Sequence, residues 1–280
     1  MGKFDGVLLA SDFDNTLVDT DGAERSESPL PPVPERNVEA LRYFMDNGGR
    51  FTVATGRALP AFVPFADGVP MNAPCILSNG AALYDTRKKA YVLTAFLDDS
   101  IRERGNEILA AVPGLACELY HDGMEVHCMN PNEVTRRHKH LTHAPCEEVE
   151  NLLDAPGPCS KLLLEGTPEM LNQARRYMID RGWGDEYEIV TSSQWLLEVT
   201  ARGANKGDML RTLAAHVGAA PENTYGIGDH LNDLALLGAS AIPFAPANCV
   251  AEIRASGARL VCTAAEGALA DVVEILDQKY

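Results

Sequence analysis

Residues 6–13, GVLLASDF, are apolar at nearly every position rather than at alternate ones. Alternation would mark a strand with one wet face. A continuous run marks a strand covered on both faces, which confines the chain to helices packed above and below a mostly parallel sheet. The same signature recurs at 51–55 (FTVAT), 75–79 (CILSN), 224–228 (TYGIG), 240–245 (SAIPFA) and 259–263 (RLVCT). Between these runs the period becomes helical. At 35–47, Val38, Leu41 and Phe44 share a face and Gly48-Gly49 ends it, while 206–217 stops at Gly218. Further helices are expected near 232–237, 248–255 and 267–277.

The segment from about 84 to 200 has a different pattern. YVLTAF, ACELYH, MEVHCM, KLLLEG, YEIVTS and WLLEVT read as strands, some joined by short turns such as His121-Asp122-Gly123, with helical stretches at 98–112, 132–141 and 168–181. Hairpins beside helices predict an α+β module with an antiparallel sheet. The expected fold class is therefore α/β. A doubly wound, Rossmann-like parallel-sheet core, 1–83 and 201–280, is interrupted by an inserted α+β cap domain at 84–200. Residues 19–34, DTDGAERSESPLPPVP, are acidic and proline-rich without an apolar period, and read as a flexible loop or lid.

Composition removes some function classes. Forty acidic against 24 basic residues give a formal net charge of −16, which repels a phosphate backbone and argues against nucleic acid as a partner. A small anion is still admissible, because lysine, backbone N–H groups and a metal can reverse the field inside one cleft. Seven cysteines, widely spaced and free of any CxxC, indicate neither a disulfide framework nor a zinc ribbon. No leader-like h-region is present, and no run approaches the roughly 18 apolar residues of a spanning helix. The expectation is a cytoplasmic protein without a membrane partner.

In an open parallel sheet, ligands bind beyond the carboxyl ends of the strands. The unusual polar residues fall there. Asp12 and Asp14 follow the first run, Thr55, Gly56 and Arg57 the second, Asn79 and Gly80 the third, and Asp229, Asn232 and Asp233 the strand at 224–228, with Lys206 opening a helix just before it. Convergent carboxylates raise one another's pKa unless cations are present. Lys206 supplies one positive charge, and a hard divalent ion with oxygen ligands, Mg²⁺, supplies two. The parts suit phosphoryl transfer. Asp12 is the candidate nucleophile, Asp14 the proton donor and later acceptor, Thr55 and the N–H groups after it the holders of phosphate oxygens, Lys206 the neutralising charge, and Asp229 the metal ligand.

Taken in order, Asp12-Phe13-Asp14-Asn15-Thr16-Leu17, Ala54-Thr55-Gly56-Arg57, Asn205-Lys206-Gly207 and Gly228-Asp229-His230-Leu231-Asn232-Asp233 resemble the four motifs of the haloacid dehalogenase-like hydrolase superfamily. The phrases SNGA (78–81), KLLLEG (161–166) and LEVTARGANKG (197–207) are similar to its Cof-type phosphatase branch. The resemblance implies a Mg²⁺-dependent phosphomonoester hydrolase working through an aspartyl-phosphate. It makes Asp12, the carbonyl of Asp14, and Asp229 the metal ligands, brings Asn232 to the phosphate, and gives Asp233 a supporting place. The insert becomes the cap that selects a small phosphorylated metabolite, with sugar or sugar-acid phosphates favoured. A phosphotransferase or phosphomutase using the same intermediate, and a non-enzymatic sensor of a phosphorylated ligand, are the alternatives.

Asn15 stands where the family carries glycine, and asparagine tolerates a positive φ. Within the quoted stretches, Arg57 and Asn79 read equally as substrate contacts and as structural residues, and His230 reads as exposed and not as a ligand. The run His138-Lys139-His140-Leu141-Thr142-His143, with Cys146 nearby, reads as a solvated cap helix and not as a transition-metal site. Tyr120, Trp183, Tyr187 and Trp195 read first as core and second as substrate-stacking rings. Lys161 and Arg202 are candidate specificity residues.

Overall fold

The computed structural model describes residues 2–26 and 28–280; Glu27, within the segment expected to be a loop, lies outside the described residues. The chain forms two compact units. One comprises the residues up to Thr55, Phe65–Val92 and Asn205–Tyr280; the other comprises Gly56–Pro64 and Leu93–Ala204. Against the expected boundaries of 83/84 and 200/201, the first unit thus keeps most of the strand Ala90–Thr94, which extends a hairpin of that unit.

The first unit is built on five parallel strands in the order Arg259–Val261, Pro243–Pro246, Thr224–Ile227, Leu8–Ser11 and Arg50–Val53. Leu8 and Ala10 face the helix Lys206–Val217, packing with Met209, Leu210 and Leu213. Tyr225, on the opposite parity, reaches the other layer, where its hydroxyl meets that of Tyr280 at 2.7 Å. There the helices Glu35–Asp46 and Ala268–Lys279 pack on each other. The sheet is covered on both faces, as its continuous apolar strands require. Among the described residues no helix is long and apolar enough to cross a membrane.

Two expectations need correction in this unit. The run at 75–79 does not continue the parallel ladder. Cys75–Leu77 touches it through the bridge Ala54↔Ile76 and then pairs antiparallel with Ala82–Asp85. The reason is local: Ser78, Asn79 and Gly80 adopt φ of 50°, 53° and 104°, which reverses the chain. The segment 19–34 is not all loop either. Thr20–Arg25 is a helix whose cap, Asp19, accepts a hydrogen bond from Gly22 N. Six residues that bury only Thr20 and Ala23 leave no periodic signal to read.

The second unit carries a six-stranded sheet in the order Tyr187–Ser193, Leu196–Ala201, Cys159–Glu165, Ala116–His121, Val126–Met129 and Cys146–Glu148. All its pairings are antiparallel except the last. One face, with Leu119, Leu162, Leu164 and Val199, packs on residues of the helices Ile101–Ala111 and Pro168–Asp180. Trp183 and Tyr187 belong to this core. The opposite parity holds Glu118, Tyr120, Lys161, Glu165 and Glu198, which are polar and nonetheless buried.

The reading of the histidine run as a solvated helix fails at one position of the helix Glu133–Thr142. His138 is buried on most of its side chain, with Nδ1 3.1 Å from both Glu118 Oε2 and Glu165 Oε1. His140 and His143 are exposed, as expected.

Candidate active site

Asp12 lies one residue beyond the central strand, and its N–H donates to Ile227 O at 2.9 Å, so the parallel ladder itself fixes its position. The strands Leu8–Ser11 and Thr224–Ile227 are neighbours. From the first the chain passes to Arg50–Val53 on one side, and the second leads to Pro243–Pro246 on the other. This is the switch point at which crossovers leave in opposite directions and a crevice opens beyond the strand ends. Asp12 and Asp229 flank it.

Lys206 is fully buried, and its Nζ donates to Asp12 Oδ1 and to Asp233 Oδ1, each at 2.7 Å. The lysine is held at the first turn of a helix capped by Asn205, whose side chain accepts from Asp208 N at 2.9 Å. Asp233 uses its other oxygen as well: Oδ2 accepts from the N–H groups of Asp229 and His230 at 2.9 and 3.1 Å. Asp229 Oδ1 accepts from Thr16 Oγ1 at 3.0 Å.

These contacts divide the labour. Ligand atoms of Asp12, Asp229 and Asp233 lie within 4.8 Å of one another, close enough for a shared cation. Asp233, however, has both oxygens committed, to the lysine and to the loop that carries Asp229. Asp12 and Asp229 are therefore the residues suited to hold an ion, and Asp233 positions them. Formal charge agrees: three buried carboxylates and one ammonium sum to −2, which a dication cancels. Burial first, and then the charge of Asp233, pushes the Asp12 carboxyl from 3.8 to about 7, against the pull of Lys206. Burial, followed by Asp12, likewise raises Asp229. Lys206 is moved up despite its burial, because Asp12 and Asp233 hold its charge. Raised carboxylates around a committed lysine are the electrostatic mark of a site short of positive charge.

Asp14 is placed differently from Asp12. The backbone turns after Phe13, with Asn15 at φ 56°, and Thr20 Oγ1 donates to Asp14 Oδ1 at 2.7 Å. Asparagine in the place of glycine thus adopts the left-handed conformation the turn needs. Asn15 also exchanges hydrogen bonds with Asp21, through its Nδ2 to Oδ1 and through Asp21 N to its Oδ1. Two links therefore join the first motif to the short helix that follows it.

Thr55 is buried and its backbone is fixed by Thr55 N to Ile76 O and Asn79 N to Thr55 O. Asn232 Nδ2 donates to Asn79 Oδ1 at 3.0 Å, leaving Asn79 Nδ2 and Asn232 Oδ1 without partners though both are buried. Exchanging the two amide orientations would shift the vacancies but still leave one N–H group unmatched, as suits an incoming oxyanion. Gly56 and Arg57 fall in the second unit, where Arg57 donates to Ala61 O and Gly56 O accepts from Lys161 Nζ at 2.9 Å. Arg202 is largely exposed and bonds Gly184 O. Thr16 and Thr20 were missed in the sequence reading. Thr16 belongs to the quoted motif, and its hydroxyl was the available signal; Thr20 carried none.

The sequence profile of haloacid dehalogenase-like hydrolases matches residues 9–273. Among curated proteins, the chain is 23% identical over 271 residues to the 5-amino-6-(5-phospho-D-ribitylamino)uracil phosphatase YwtE of Bacillus subtilis, covering 88% of this chain and 89% of that one. It is 24% identical over 266 residues to the pyridoxal phosphate phosphatase YbhA of Escherichia coli, with 89% and 90% covered. A solved haloacid dehalogenase-like hydrolase from Bacteroides thetaiotaomicron superposes with a TM-score of 0.81 at 21% identity, over 96% of this chain and 99% of that one.

Proposed function

This chain belongs to the haloacid dehalogenase-like hydrolase family and is a phosphatase, and we propose that it hydrolyses a small phosphomonoester through a phosphate carried transiently on Asp12. The observation that carries this reading is the pair of 2.7 Å bonds that fix Lys206 between Asp12 and Asp233. Such a lysine orients one oxygen of Asp12 and leaves the other for attack. A bound Mg²⁺, held by Asp12 and Asp229, would keep both carboxylates ionised and neutralise charge on the phosphoryl oxygens.

In the first step a carboxylate oxygen of Asp12 bonds to phosphorus while the bond from phosphorus to the ester oxygen breaks. Asp14 gives its proton to that departing oxygen. In the second step water attacks phosphorus, its proton passes to Asp14, and the bond to Asp12 breaks, releasing phosphate and restoring both residues. Thr20, donating to Asp14 Oδ1, fixes the carboxyl so that its proton-bearing oxygen keeps one direction. The unmatched amide at Asn79 and Asn232 and the side chain of Thr55 hold the non-bridging oxygens.

The substrate class is a small phosphorylated metabolite, with sugar or sugar-acid phosphates favoured by the LEVTARGANKG phrase. Both curated relatives named above carry the names of phosphatases for small metabolites. The test is phosphate release from a panel of phosphorylated metabolites with Mg²⁺, comparing kcat/KM. Asp12→Asn is expected to abolish turnover while leaving the fold intact by circular dichroism. Wild-type turnover in that variant overturns the mechanism, and an isomerised product without free phosphate assigns transfer instead of hydrolysis.

A further inference from the structure

A second cluster of ligand atoms lies wholly within the inserted unit. Glu118 on the strand Ala116–His121, Glu165 at the end of Cys159–Glu165 and His138 on the helix Glu133–Thr142 bring three donor atoms within 4.8 Å of one another. Their geometry does not suit an ion pair alone. His138 Nδ1 is 3.1 Å from Glu118 Oε2 and 3.1 Å from Glu165 Oε1. A ring nitrogen carries one N–H, and Glu118 is the partner with hydrogen-bond geometry. Glu165 is completely buried, its Oε1 meets only the ring nitrogen it shares with Glu118, and neither oxygen has a hydrogen-bond partner of its own. A buried carboxylate left so is costly unless something else meets it.

We propose that Glu118, His138 and Glu165 form a metal site for a divalent first-row transition ion such as Zn²⁺, tying the helix Glu133–Thr142 to the cap sheet. Two donors 3.1 Å apart can each lie about 2.1 Å from one ion with an angle of about 95° between the bonds. One imidazole nitrogen with two carboxylates selects such an ion over Mg²⁺, which favours oxygen ligands and keeps its waters. Glu118 Oε2 also accepts from the buried Tyr120 hydroxyl at 2.5 Å, the kind of outer hydrogen bond that orients a ligating carboxylate. Charge points the same way. Glu118, Glu165 and Glu198 face Lys161 and His138 on this side of the sheet. With the imidazole protonated the formal sum is still −1, whereas a dication beside a neutral imidazole brings it to zero. His138 keeps 16% of its side chain exposed, the most of the three.

The proposal is independent of the phosphatase chemistry, and its test reads metal, not turnover. Full-length protein is dialysed against Zn²⁺ in excess Mg²⁺, which occupies the oxygen-only site, and its metal content is measured. One Zn²⁺ per chain is expected, retained in Asp229→Asn and lost in His138→Ala and in Glu165→Gln, with folding of each variant checked by circular dichroism. No uptake by the wild type overturns the proposal, as does uptake lost in Asp229→Asn or kept in a folded His138→Ala. Should neither cap variant fold, the wild type compared with Asp229→Asn still decides.

Discussion

At the scale of single residues, Asp233 organises the site although it need not touch substrate. It accepts from Lys206 through one oxygen and from two backbone N–H groups through the other. Asp233→Ala would leave a fully buried ammonium with one partner, a change that costs about 3–5 kcal/mol when a buried pair is broken. Urea unfolding is expected to show that loss, and kcat is expected to fall more than KM rises, because Lys206 and Asp12 lose their register and the substrate contacts do not. Asp12 gives a prediction with a sign. In the metal-free protein its carboxyl sits at about 7 instead of 3.8, so between those values the folded state holds a proton that the unfolded chain has released. Stability from this group is present on the acid side and declines as pH rises to about 7. Thermal melts in chelator should therefore fall over that window more steeply for wild type than for Asp12→Asn, and saturating Mg²⁺ should remove the difference; equal slopes in chelator count against it. Asp12, Lys206, Asp229 and Asp233 were legible because all four stand just past a strand or at a helix start, at the sheet edge where ligands bind in such folds. Thr20 was not, since its bond to Asp14 depends on a short helix that leaves no pattern.

At the scale of elements, the helix Lys206–Val217 shows why some boundaries are readable. Asparagine at its start and glycine at its end are the residues whose side chain or backbone closes a helix, and Asn205 and Gly218 do so here. The position of this helix is set by Gly207. A Cβ there would lie 2.2 Å from the backbone oxygen of Ala235, far inside van der Waals contact, and backbone cannot swing aside as a side chain could. Gly207→Ala is expected to destabilise the protein by about 1–3 kcal/mol, as overpacking does, and to lower kcat by shifting Lys206, its immediate neighbour. A chemical denaturation curve and a steady-state assay check the two parts, and unchanged values of both would mean that the helix is free to slide. The elements that escaped the sequence are those decided by a few dihedral angles or by distant partners. CILSN has the composition of a core strand, yet positive φ at three successive residues turns it into a hairpin arm. The helix at 133–142 is polar enough to look solvated, but His138 is drawn inward by glutamates 20 and 27 residues away in sequence.

At the scale of the whole molecule, the alternation of buried parallel strands with helices identified the core, and the change to hairpins identified the insert, because each layer architecture imposes its own period on the chain. The apolar core of the second unit runs from Leu97 to Val199 and draws on the helices Ile101–Ala111 and Pro168–Asp180 and one face of the sheet. The other face is less self-sufficient. Ala58 packs with Tyr120 and Leu163, and Lys161 bonds Gly56 O, so residues 56–64 contribute there. A fragment spanning 93–204 is therefore expected to fold cooperatively, since its main core is complete and its length is that of an ordinary domain. It should also be less stable than the same unit within the full chain, because Lys161 would keep Glu198 but lose the Gly56 carbonyl. The buried ring of Trp183 gives the readout. A sigmoidal urea transition in its fluorescence, coincident with the far-ultraviolet circular dichroism, is the expected result. A gradual loss of signal would show that the core between Leu97 and Val199 needs the rest of the chain to close.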